Sequence, residues 1–235
     1  GESFTVYKLD DIDITLPRTE SKIGRGHRGF EVTGDPWLPI EKAARRRDFT
    51  VNAIAWDPLT SEYLDPHGGR EDLSLGLMRA VDINTFADDS LRVLRAIQLA
   101  ARLNFKLDSS TKQICKEISL NDLPAERIWG ELEKLLLLAH RPSIGFVLAR
   151  ELGVVEKLFP ELEALVGCPQ EPEWHPEGDV WIHTLMVVDQ ARKRISDLDF
   201  PQRVAVMLGA VCHDFGKPST TATIDGRIRS LNHEA

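Results

Sequence analysis

The chain has 235 residues, which is enough for one large domain or for two to three small ones. Its hydrophobic fraction of 42% and charged fraction of 28% are typical of a globular protein, and its net charge of −8 gives no sign that the molecule as a whole binds nucleic acid. The three cysteines have neither metal-ligand nor disulfide spacing, and the sequence contains no apolar run of about 18 residues. These features predict a cytoplasmic protein without a membrane span.

The first predicted element is a strand within residues 4–16. Apolar Ile12, Ile14 and Leu16 alternate with acidic and polar residues, among them Asp13. Because side chains alternate between the two faces of a strand, this pattern predicts one buried face and one that carries carboxylates. Pro17 ends the strand.

A glycine-rich loop is predicted over residues 21–34. The stretch 17–50 that contains it has eight Lys or Arg against five Asp or Glu, so positive charge is concentrated here although the chain is acidic. The loop either contacts a polyanion or is a plain connection. On the first interpretation, its candidate RNA-binding residues are Lys22, Arg25 and Arg28.

Three consecutive arginines precede an acid and an apolar segment at Arg45-Arg46-Arg47-Asp48. Adjacent guanidinium groups repel one another unless an anion binds them, and the arginine fork matches phosphate well. Asp48 can hold one fork in a fixed direction. The alternative interpretation is a solvated basic turn before a buried segment. Residues 40–47 predict a helix, 50–56 a buried strand or helix segment, and 65–69 a turn.

Almost all of the sequence after residue 89 predicts helices. A small mixed α/β region would therefore be followed by an all-helical body, which is an α+β fold class. Trp37 and Trp56 are predicted to pack in the core rather than to stack on bases. The predicted helices span residues 89–103, 110–118, 124–139, 143–152, 182–195 and 201–212.

The helix that starts near Asp89 carries a row of arginines on roughly one face, at Arg92, Arg95 and Arg102. Asp89 can cap the helix. Like charges at i, i+3 oppose each other by a few tenths of a kcal/mol. Such a row, facing a cleft beside an acid, would offer donors and an acceptor to a base edge and to phosphates, so we favour a functional role over a solvated face.

The C-terminal part carries a second group of chemically capable residues, at His183, His213, Asp214 and His233. An adjacent His-Asp pair after an apolar helix is costly to bury unless the two groups bind a metal or each other. Imidazole and carboxylate together suit a divalent transition metal that activates water.

These motifs, in this order, resemble the class II tRNA nucleotidyltransferases, the family of bacterial CCA-adding enzymes and poly(A) polymerases. The similarity is carried by Arg18-Thr19-Glu20, the Arg-Arg-Asp motif, Asp65-Pro66 with Gly68-Gly69, and residues 88–95. The segments 126–129, 174–177 and 183–185 resemble the subgroup with a C-terminal HD-type phosphohydrolase domain.

The resemblance implies a partial polymerase beta-like head with a short mixed sheet, followed by helical parts. On this basis we expect a remnant of the head at residues 1–66 and a neck with nucleotide-recognition helices at 67–130. A helical body at 131–168 and an incomplete HD-type domain at 169–235 would follow.

The activity implied by the resemblance is addition of CCA, or part of it, to tRNA 3′ ends from CTP and ATP, by Mg²⁺-dependent phosphoryl transfer. Arg47 would contact the incoming nucleotide, with Arg46 and Asp48 beside it. Asp89 and Arg92 would read the base edge and Arg95 would support the triphosphate. Asp13 would orient the attacking hydroxyl.

Two departures from the family pattern change these expectations. The family's glycine-rich turn and Asp-x-Asp pair, which hold the Mg²⁺ ions, have no counterpart in the chain, so the resemblance implies a fragment that is inactive alone. Gln98 stands where many relatives carry a further arginine. In the HD part, His183, His213 and Asp214 fit the first metal ligands and His233 the next. Further ligands would lie beyond Ala235, so weak or absent binding of Ni²⁺ or Mn²⁺ is expected.

Three alternatives remain open from the sequence. Within the same chemistry, the protein could be a poly(A) polymerase or an enzyme that adds only CC or only A. It could also be an HD metal-dependent phosphohydrolase, active without the arginines. As a third possibility, it could be a non-catalytic module that binds the tRNA acceptor arm in a salt-dependent way.

Overall fold

The computed structural model describes residues 6–22 and 30–234. The chain divides into two compact units. The first comprises the residues up to 93 together with 106–124, and the second comprises 94–105 together with 125–235. Within the described residues, no helix is long and apolar enough to cross a membrane. The predicted four-part division of the chain stays a prediction.

The first unit consists of short strands and short helices, and an additional 3₁₀ turn covers Thr50–Asn52. Helix α4 begins in this unit and continues into the second. The elements are β1 (Tyr7–Leu9), β2 (Ile12–Ile14), β3 (Arg18–Lys22), β4 (Phe30–Gly34), α1 (Ile40–Ala44), β5 (Ala55–Asp57), β6 (Glu62–Leu64), α2 (Gly69–Leu75), β7 (Leu77–Met78), α3 (Ile83–Phe86), α4 (Leu91–Leu103), β8 (Lys106–Leu107) and α5 (Ser109–Glu117).

The predicted strand over residues 4–16 is instead a hairpin of β1 and β2, with Lys8 opposite Asp13. Asp10 forms its turn with a φ of 52°. The prediction of a buried apolar face is wrong, because Ile12 and Ile14 are 62% and 48% exposed. Within residues 6–22 and 30–234, these two strands pair only with each other. A two-stranded sheet buries a face only when another layer covers it, and alternation in the sequence cannot show whether that layer exists.

The prediction of a loop over residues 21–34 is wrong at both ends, because residues 21–22 belong to β3 and residues 30–34 form β4. Strands β3 and β4 pair antiparallel, with Arg18 opposite Gly34 and Lys22 opposite Phe30. The prediction that Trp37 and Trp56 lie in the core is also wrong, since they are 88% and 56% exposed. A tryptophan in the sequence does not show whether other parts of the chain pack over it in a turn or hairpin.

A buried polar network holds the centre of the first unit together. Thr50 donates its hydroxyl to Asp72 over 2.7 Å. Arg79 donates through Nε to the same carboxylate over 3.1 Å and through Nη1 to Asp108 over 3.1 Å. The hydrogen bond to Asp72, followed by the charges of both acids, raises the pKa of Arg79 although partial burial opposes it. Two carboxylates compensate the charge of Arg79, so we assign it a structural role.

The second unit is mainly helical. Its long helices lie close to the predicted positions, because their apolar periodicity and their caps are local signals, whereas three short helices within residues 154–163 and 217–220 were not predicted. The hairpin after residue 220 was not predicted. The elements are the rest of α4, α6 (Ala125–Leu138), α7 (Pro142–Glu151), α8 (Val154–Leu158), α9 (Pro160–Glu163), α10 (Val180–Arg192), α11 (Phe200–Cys212), α12 (Lys217–Thr220), β9 (Thr221–Ile224) and β10 (Arg227–Ser230).

Aspartates fix the ends of the helices in the second unit. Asp179 caps α10 by accepting from the Ile182 N–H, and Asp199 forms a capping box with Gln202 at the start of α11. Asp189, within α10, accepts hydrogen bonds from the Ser143 N–H and hydroxyl over 3.0 and 2.7 Å. That carboxylate caps α7 from outside and fastens α10 to it.

Candidate functional site

The first unit contains a cleft of about 290 Å³, here called the arginine cleft. The predicted arginine motif and the first turn of α4 both contribute to it. Four of its lining side chains are cationic and one is acidic, so the cleft suits an anion. The described residues that line it are Thr19, Lys42, Arg45, Arg46, Thr85, Asp88 and Arg92.

Arg92 has the best defined position in the arginine cleft. It donates through Nη1 to the Thr85 carbonyl over 2.9 Å and through Nη2 to the Arg46 carbonyl over 2.8 Å. Its guanidinium carbon lies 5.7 Å from the centre of the Phe86 ring. Carbonyl oxygens orient a guanidinium without cancelling its charge. Arg92 is therefore rigidly placed by groups that leave its positive charge available.

Arg45 differs from Arg92, because a carboxylate holds it. Its Nε lies 2.8 Å from Asp82 Oδ2, and Asp82 also accepts from the Asn84 N–H at the start of α3. Burial acts to raise the pKa of Asp82, but the hydrogen bonds from Arg45 and Asn84 outweigh it and hold the pKa below its ordinary value. This ion pair fixes the outer edge of the cleft.

Two of the predicted nucleotide-binding acids have local hydrogen bonds. Asp48 is buried and accepts from the Phe49 N–H over 2.9 Å and from the Asn52 amide over 3.0 Å, which shapes the turn after the arginines. Asp89 accepts from the Leu91 N–H over 3.2 Å at the start of α4. Asp88, its neighbour, is the acid that lines the cleft.

Several other predicted residues are not among the described residues that line the arginine cleft. Arg47 is exposed, and Arg95 lies one turn further along α4, in the second unit. Asp13 is 66% exposed and lies 3.8 Å from Lys8 across the hairpin. The side chains of Lys22, Arg25 and Arg28 fall outside the described part of the chain.

Sequence reasoning missed Lys42 and Thr85 as lining residues. Lys42 lies three residues before Arg45, a helical spacing that could have indicated it. Among the described residues, the groups of three or more potential metal ligands are all in the second unit. The described part of the first unit therefore contains no such group that would hold Mg²⁺.

The second unit brings together His183, His213, Asp214 and His233, here called the histidine cluster. His183 lies on α10, His213 and Asp214 follow α11, and His233 follows β10. The Nε2 atoms of His183, His213 and His233 lie 3.9, 3.3 and 3.5 Å, respectively, from a carboxylate oxygen of Asp214. The Asp214 side chain is 2% exposed, so three imidazole nitrogens converge on one buried carboxylate.

Glycine at position 216 permits this convergence. A Cβ placed there would clash with the carbonyl of His233. The backbone of Gly216 is helical, with a φ of −77°, so space rather than conformation requires the glycine. The segment that carries His233 can approach Asp214 because that side chain is absent.

The outer nitrogen of each imidazole has an acceptor. Nδ1 of His213 lies 3.0 Å from the Ala210 carbonyl, and Nδ1 of His233 lies 2.7 Å from the Ser230 carbonyl. An imidazole that donates its Nδ1–H to a carbonyl presents the lone pair of Nε2, which is the form that binds a metal. In both residues Nε2 is the nitrogen that faces Asp214.

Asp214 also has a cationic neighbour, since Nζ of Lys217 lies 2.9 Å from its Oδ2. Lys217 is buried and donates to the Gln170 side chain over 2.8 Å. Burial acts to raise the pKa of Asp214, but hydrogen bonds from His213 and Lys217 outweigh it and hold the pKa far below its usual range. The hydrogen bond to Asp214 in turn raises the pKa of His213.

Two family models match parts of the chain. Residues 5–79 match the family model described as the poly A polymerase head domain. Residues 104–165 match the model described as the probable RNA and SrmB-binding site of polymerase A. Together the two matches cover more than half of the chain. The two matches define a protein of the poly A polymerase class, with part of its head domain and part of its RNA-binding region.

Similar curated proteins carry the name multifunctional CCA protein. The multifunctional CCA protein of Pasteurella multocida (strain Pm70) is 41% identical over 233 residues, which are 95% of this chain and 54% of the relative. That of Nitrosomonas europaea is 38% identical over 241 residues, covering 100% of this chain and 56% of the relative. The chain belongs to the family of poly(A) polymerases and CCA-adding tRNA nucleotidyltransferases, and it spans about half the length of these relatives.

Solved structures show the same fold. A CCA-adding enzyme in apo form II superimposes with a TM-score of 0.57 at 23% identity, covering 86% of this chain and 53% of that one. A tRNA-processing enzyme with CTP superimposes with a TM-score of 0.50 at 24% identity, covering 92% of this chain and 62% of that one. The predicted α+β class is confirmed.

Proposed function

We propose that the chain is part of a tRNA nucleotidyltransferase that adds CCA, or part of it, to tRNA 3′ ends from CTP and ATP by metal-dependent phosphoryl transfer. The observation that carries this proposal is the position of Arg92. Two carbonyl oxygens fix its guanidinium at the wall of a cationic cleft, and one of them belongs to Arg46 of the arginine motif. The relatives named multifunctional CCA proteins support the same activity.

The charges in the arginine cleft suggest how a nucleotide would bind. Lys42, Arg46 and Arg92 offer N–H donors and positive charge to phosphate oxygens. Asp88 offers an acceptor to the amino group of a cytosine or adenine base. Because both bases carry an exocyclic amino group, one acceptor of this kind serves CTP and ATP.

The remaining predicted contacts stay proposals. Arg47, Asp89 and Arg95 would complete the contacts to the base and triphosphate, and Asp13 would orient the attacking hydroxyl. The residues of this chain would supply binding and orientation.

The test is nucleotide incorporation by the product of the complete gene that encodes this sequence. With tRNA lacking its terminal CCA, we expect CTP and ATP incorporation to fall at least 100-fold in Arg92→Ala. The control is Arg102→Ala on the same helix, where the arginine is exposed and donates to Gln98. Thermal unfolding would show that both variants fold. Unchanged incorporation by Arg92→Ala would refute the proposal.

The same assay separates the alternatives. A product extended by exactly the missing nucleotides supports CCA addition, whereas a long adenosine tail indicates a poly(A) polymerase. Extension that stops after CC, or that requires a CC end, indicates a partial enzyme. Salt-dependent tRNA binding with no incorporation would indicate a non-catalytic module.

We further propose that the histidine cluster binds a divalent transition metal such as Ni²⁺ or Mn²⁺ and forms part of a phosphohydrolase site. The donor set fits such an ion, because imidazole nitrogens and a carboxylate are its usual ligands. His183, His213, Asp214 and His233 would hold it. The metal would supply an activated water for attack on a phosphate ester.

Calorimetric titration of the chain with Ni²⁺ or Mn²⁺ tests this second proposal. Stoichiometric binding that is lost in His213→Ala would support it. Absent binding, or binding that His213→Ala leaves intact, would contradict it. The sequence analysis led us to expect weak or absent binding of these ions, and the measured affinity tests that expectation as well.

A further inference from the structure

We infer that Glu177 is a positioning residue for the histidine cluster: it fixes the ring of His183 so that Nε2 faces Asp214. This inference rests on the proposed metal-binding role of the cluster. His213 and His233 are oriented by main-chain carbonyls, at Ala210 and Ser230. His183 is oriented by a side chain, so its orientation depends on one replaceable residue.

The contacts of Glu177 support this role. Its Oε1 lies 2.7 Å from Nδ1 of His183 and 3.0 Å from Nδ1 of His175. The Glu177 side chain is 18% exposed, and the two imidazole rings meet edge to face with centres 4.9 Å apart. One carboxylate oxygen therefore accepts from both rings. A carboxylate on the outer nitrogen of a ligating histidine fixes its tautomer and increases its basicity.

The backbone places Glu177 firmly just before helix α10. Gly178 follows it with a φ of 127°, a conformation that other residues rarely adopt. Asp179 then caps α10 and also accepts from the Gly167 N–H over 2.7 Å. Glu177 thus lies on a short, anchored turn whose position relative to His183 is set by the helix start.

The same turn is tied to the carboxylate at the centre of the cluster. The Gln170 amide donates to the Gly178 carbonyl over 3.3 Å, and its oxygen accepts from Nζ of Lys217. Lys217 in turn lies 2.9 Å from Asp214. A closed ring of contacts therefore runs from Asp214 through Lys217, Gln170 and the turn to Glu177 and His183, and returns to Asp214.

An alternative is a metal held by His175, Glu177 and the Nδ1 of His183, whose ligand atoms also lie close together. The 2.7 Å separation between Glu177 Oε1 and His183 Nδ1 is a hydrogen-bond distance, and an ionised carboxylate can only accept. The geometry therefore favours Glu177 as an acceptor for His183.

The first experiment measures the tautomer of His183 in the full chain without metal, by nitrogen NMR at a pH where this imidazole is neutral. The His183 signals are identified by their loss in His183→Gln. We expect the Nδ1–H tautomer in the wild-type chain and a shift toward Nε2–H in Glu177→Ala, with Glu177→Gln retaining the wild-type form. A predominant Nε2–H tautomer in the wild-type chain would overturn the inference.

The second experiment measures Ni²⁺ and Mn²⁺ affinity by titration. We expect a loss of about 10- to 100-fold in Glu177→Ala and a smaller loss in Glu177→Gln. His175→Ala is the matched control, because Glu177 would still hold His183, so its affinity should stay within about threefold. Loss of binding in His175→Ala would favour the alternative site and refute the inference.

The two experiments separate the failure of this inference from the failure of the metal proposal. A wild-type chain that shows the Nδ1–H tautomer but binds no metal would contradict the metal site and leave the positioning of His183 by Glu177 established. Metal binding with an unchanged tautomer and affinity in Glu177→Ala would refute the positioning role alone.

Discussion

The arginine cleft and the histidine cluster place charge in opposite ways. In the cleft, neutral carbonyl oxygens of Thr85 and Arg46 hold the Arg92 guanidinium, so its charge is oriented but not cancelled. In the cluster, three imidazole nitrogens and the ammonium group of Lys217 surround the buried carboxylate of Asp214. The first arrangement suits an anion, whereas imidazole nitrogens and a carboxylate are the usual ligands of a divalent transition metal.

Arg79 shows what a purely structural arginine looks like in the same unit as Arg92. Two carboxylates, Asp72 and Asp108, compensate it. The residue type is identical and the partners differ. Substitutions of these residues and their partners test how far each site depends on the groups that hold it.

The largest effect is expected for Gly216→Ala, which should disrupt the histidine cluster. The added Cβ would clash with the His233 carbonyl, so the segment must move and remove His233 from Asp214. We expect Ni²⁺ or Mn²⁺ affinity to fall more than 100-fold and stability to fall by about 2–3 kcal/mol. Titration and urea unfolding measure the two quantities.

The control for this prediction is Gly209→Ala in helix α11, where a Cβ would meet nothing within 4 Å. It should leave metal affinity unchanged and raise stability by up to about 1 kcal/mol. Equal metal affinity in the two variants would show that His233 is not held by the space at Gly216.

Asp72→Ala should destabilise the chain by about 2–3 kcal/mol. It removes a buried carboxylate that accepts from Thr50 and Arg79, and it leaves Arg79 with only Asp108. Thr50→Val removes one of these hydrogen bonds and should cost about 1 kcal/mol. Urea unfolding would compare the two. A negligible effect of Asp72→Ala would show that Arg79 does not need this compensation.

Arg92→Lys keeps the positive charge in the arginine cleft but removes the guanidinium group that donates two hydrogen bonds in fixed directions. A lysine cannot donate to both the Thr85 and the Arg46 carbonyls in the same fixed direction. We expect CTP and ATP affinity of the complete gene product to fall about tenfold, roughly 1.4 kcal/mol, with little loss of stability. Equilibrium binding with a fluorescent nucleotide measures it. Full retention of affinity would mean that charge alone matters.

The smallest effect is a pH dependence at the edge of the cleft. The pKa of Asp82 is lowered in the folded chain, so its contribution is complete above the ordinary value of 3.8 and disappears as pH falls through the folded value. Asp82→Asn should therefore cost at most about 1 kcal/mol at neutral pH, because Arg45 is largely exposed. Unfolding curves of the two chains should converge in acid, and a constant difference would contradict this assignment.

Helix positions were predictable from the sequence because their signals are local. The helices at 125–138 and 200–212 begin and end within a few residues of their predicted limits. Burial was not predictable in the same way, since Ile12 and Ile14 alternate correctly but remain exposed. Alternation reports which residues share a face of a strand, and only tertiary packing decides whether that face is covered.

The candidate sites were predictable at the level of segments and less so at the level of residues. The sequence predicted that the arginine motif and the start of α4 share one nucleotide site, and two of the residues predicted for it, Arg46 and Arg92, line the arginine cleft, whereas the acid among its described lining residues is Asp88. Which of two adjacent side chains points inward depends on the turn that carries them. Glu177 was missed as a partner of His183, because a hydrogen bond between side chains six residues apart has no pattern of its own.

The hydrogen bonds from Ser143 to Asp189 have a mechanical consequence for His183. Both Asp189 and His183 lie on α10, so the two hydrogen bonds from Ser143 restrain this helix against sliding along its axis. Loss of these hydrogen bonds would allow α10 to move together with His183. Hydrogen exchange at the Ser143 amide would measure how often these hydrogen bonds break, because its proton exchanges with solvent only when they are broken.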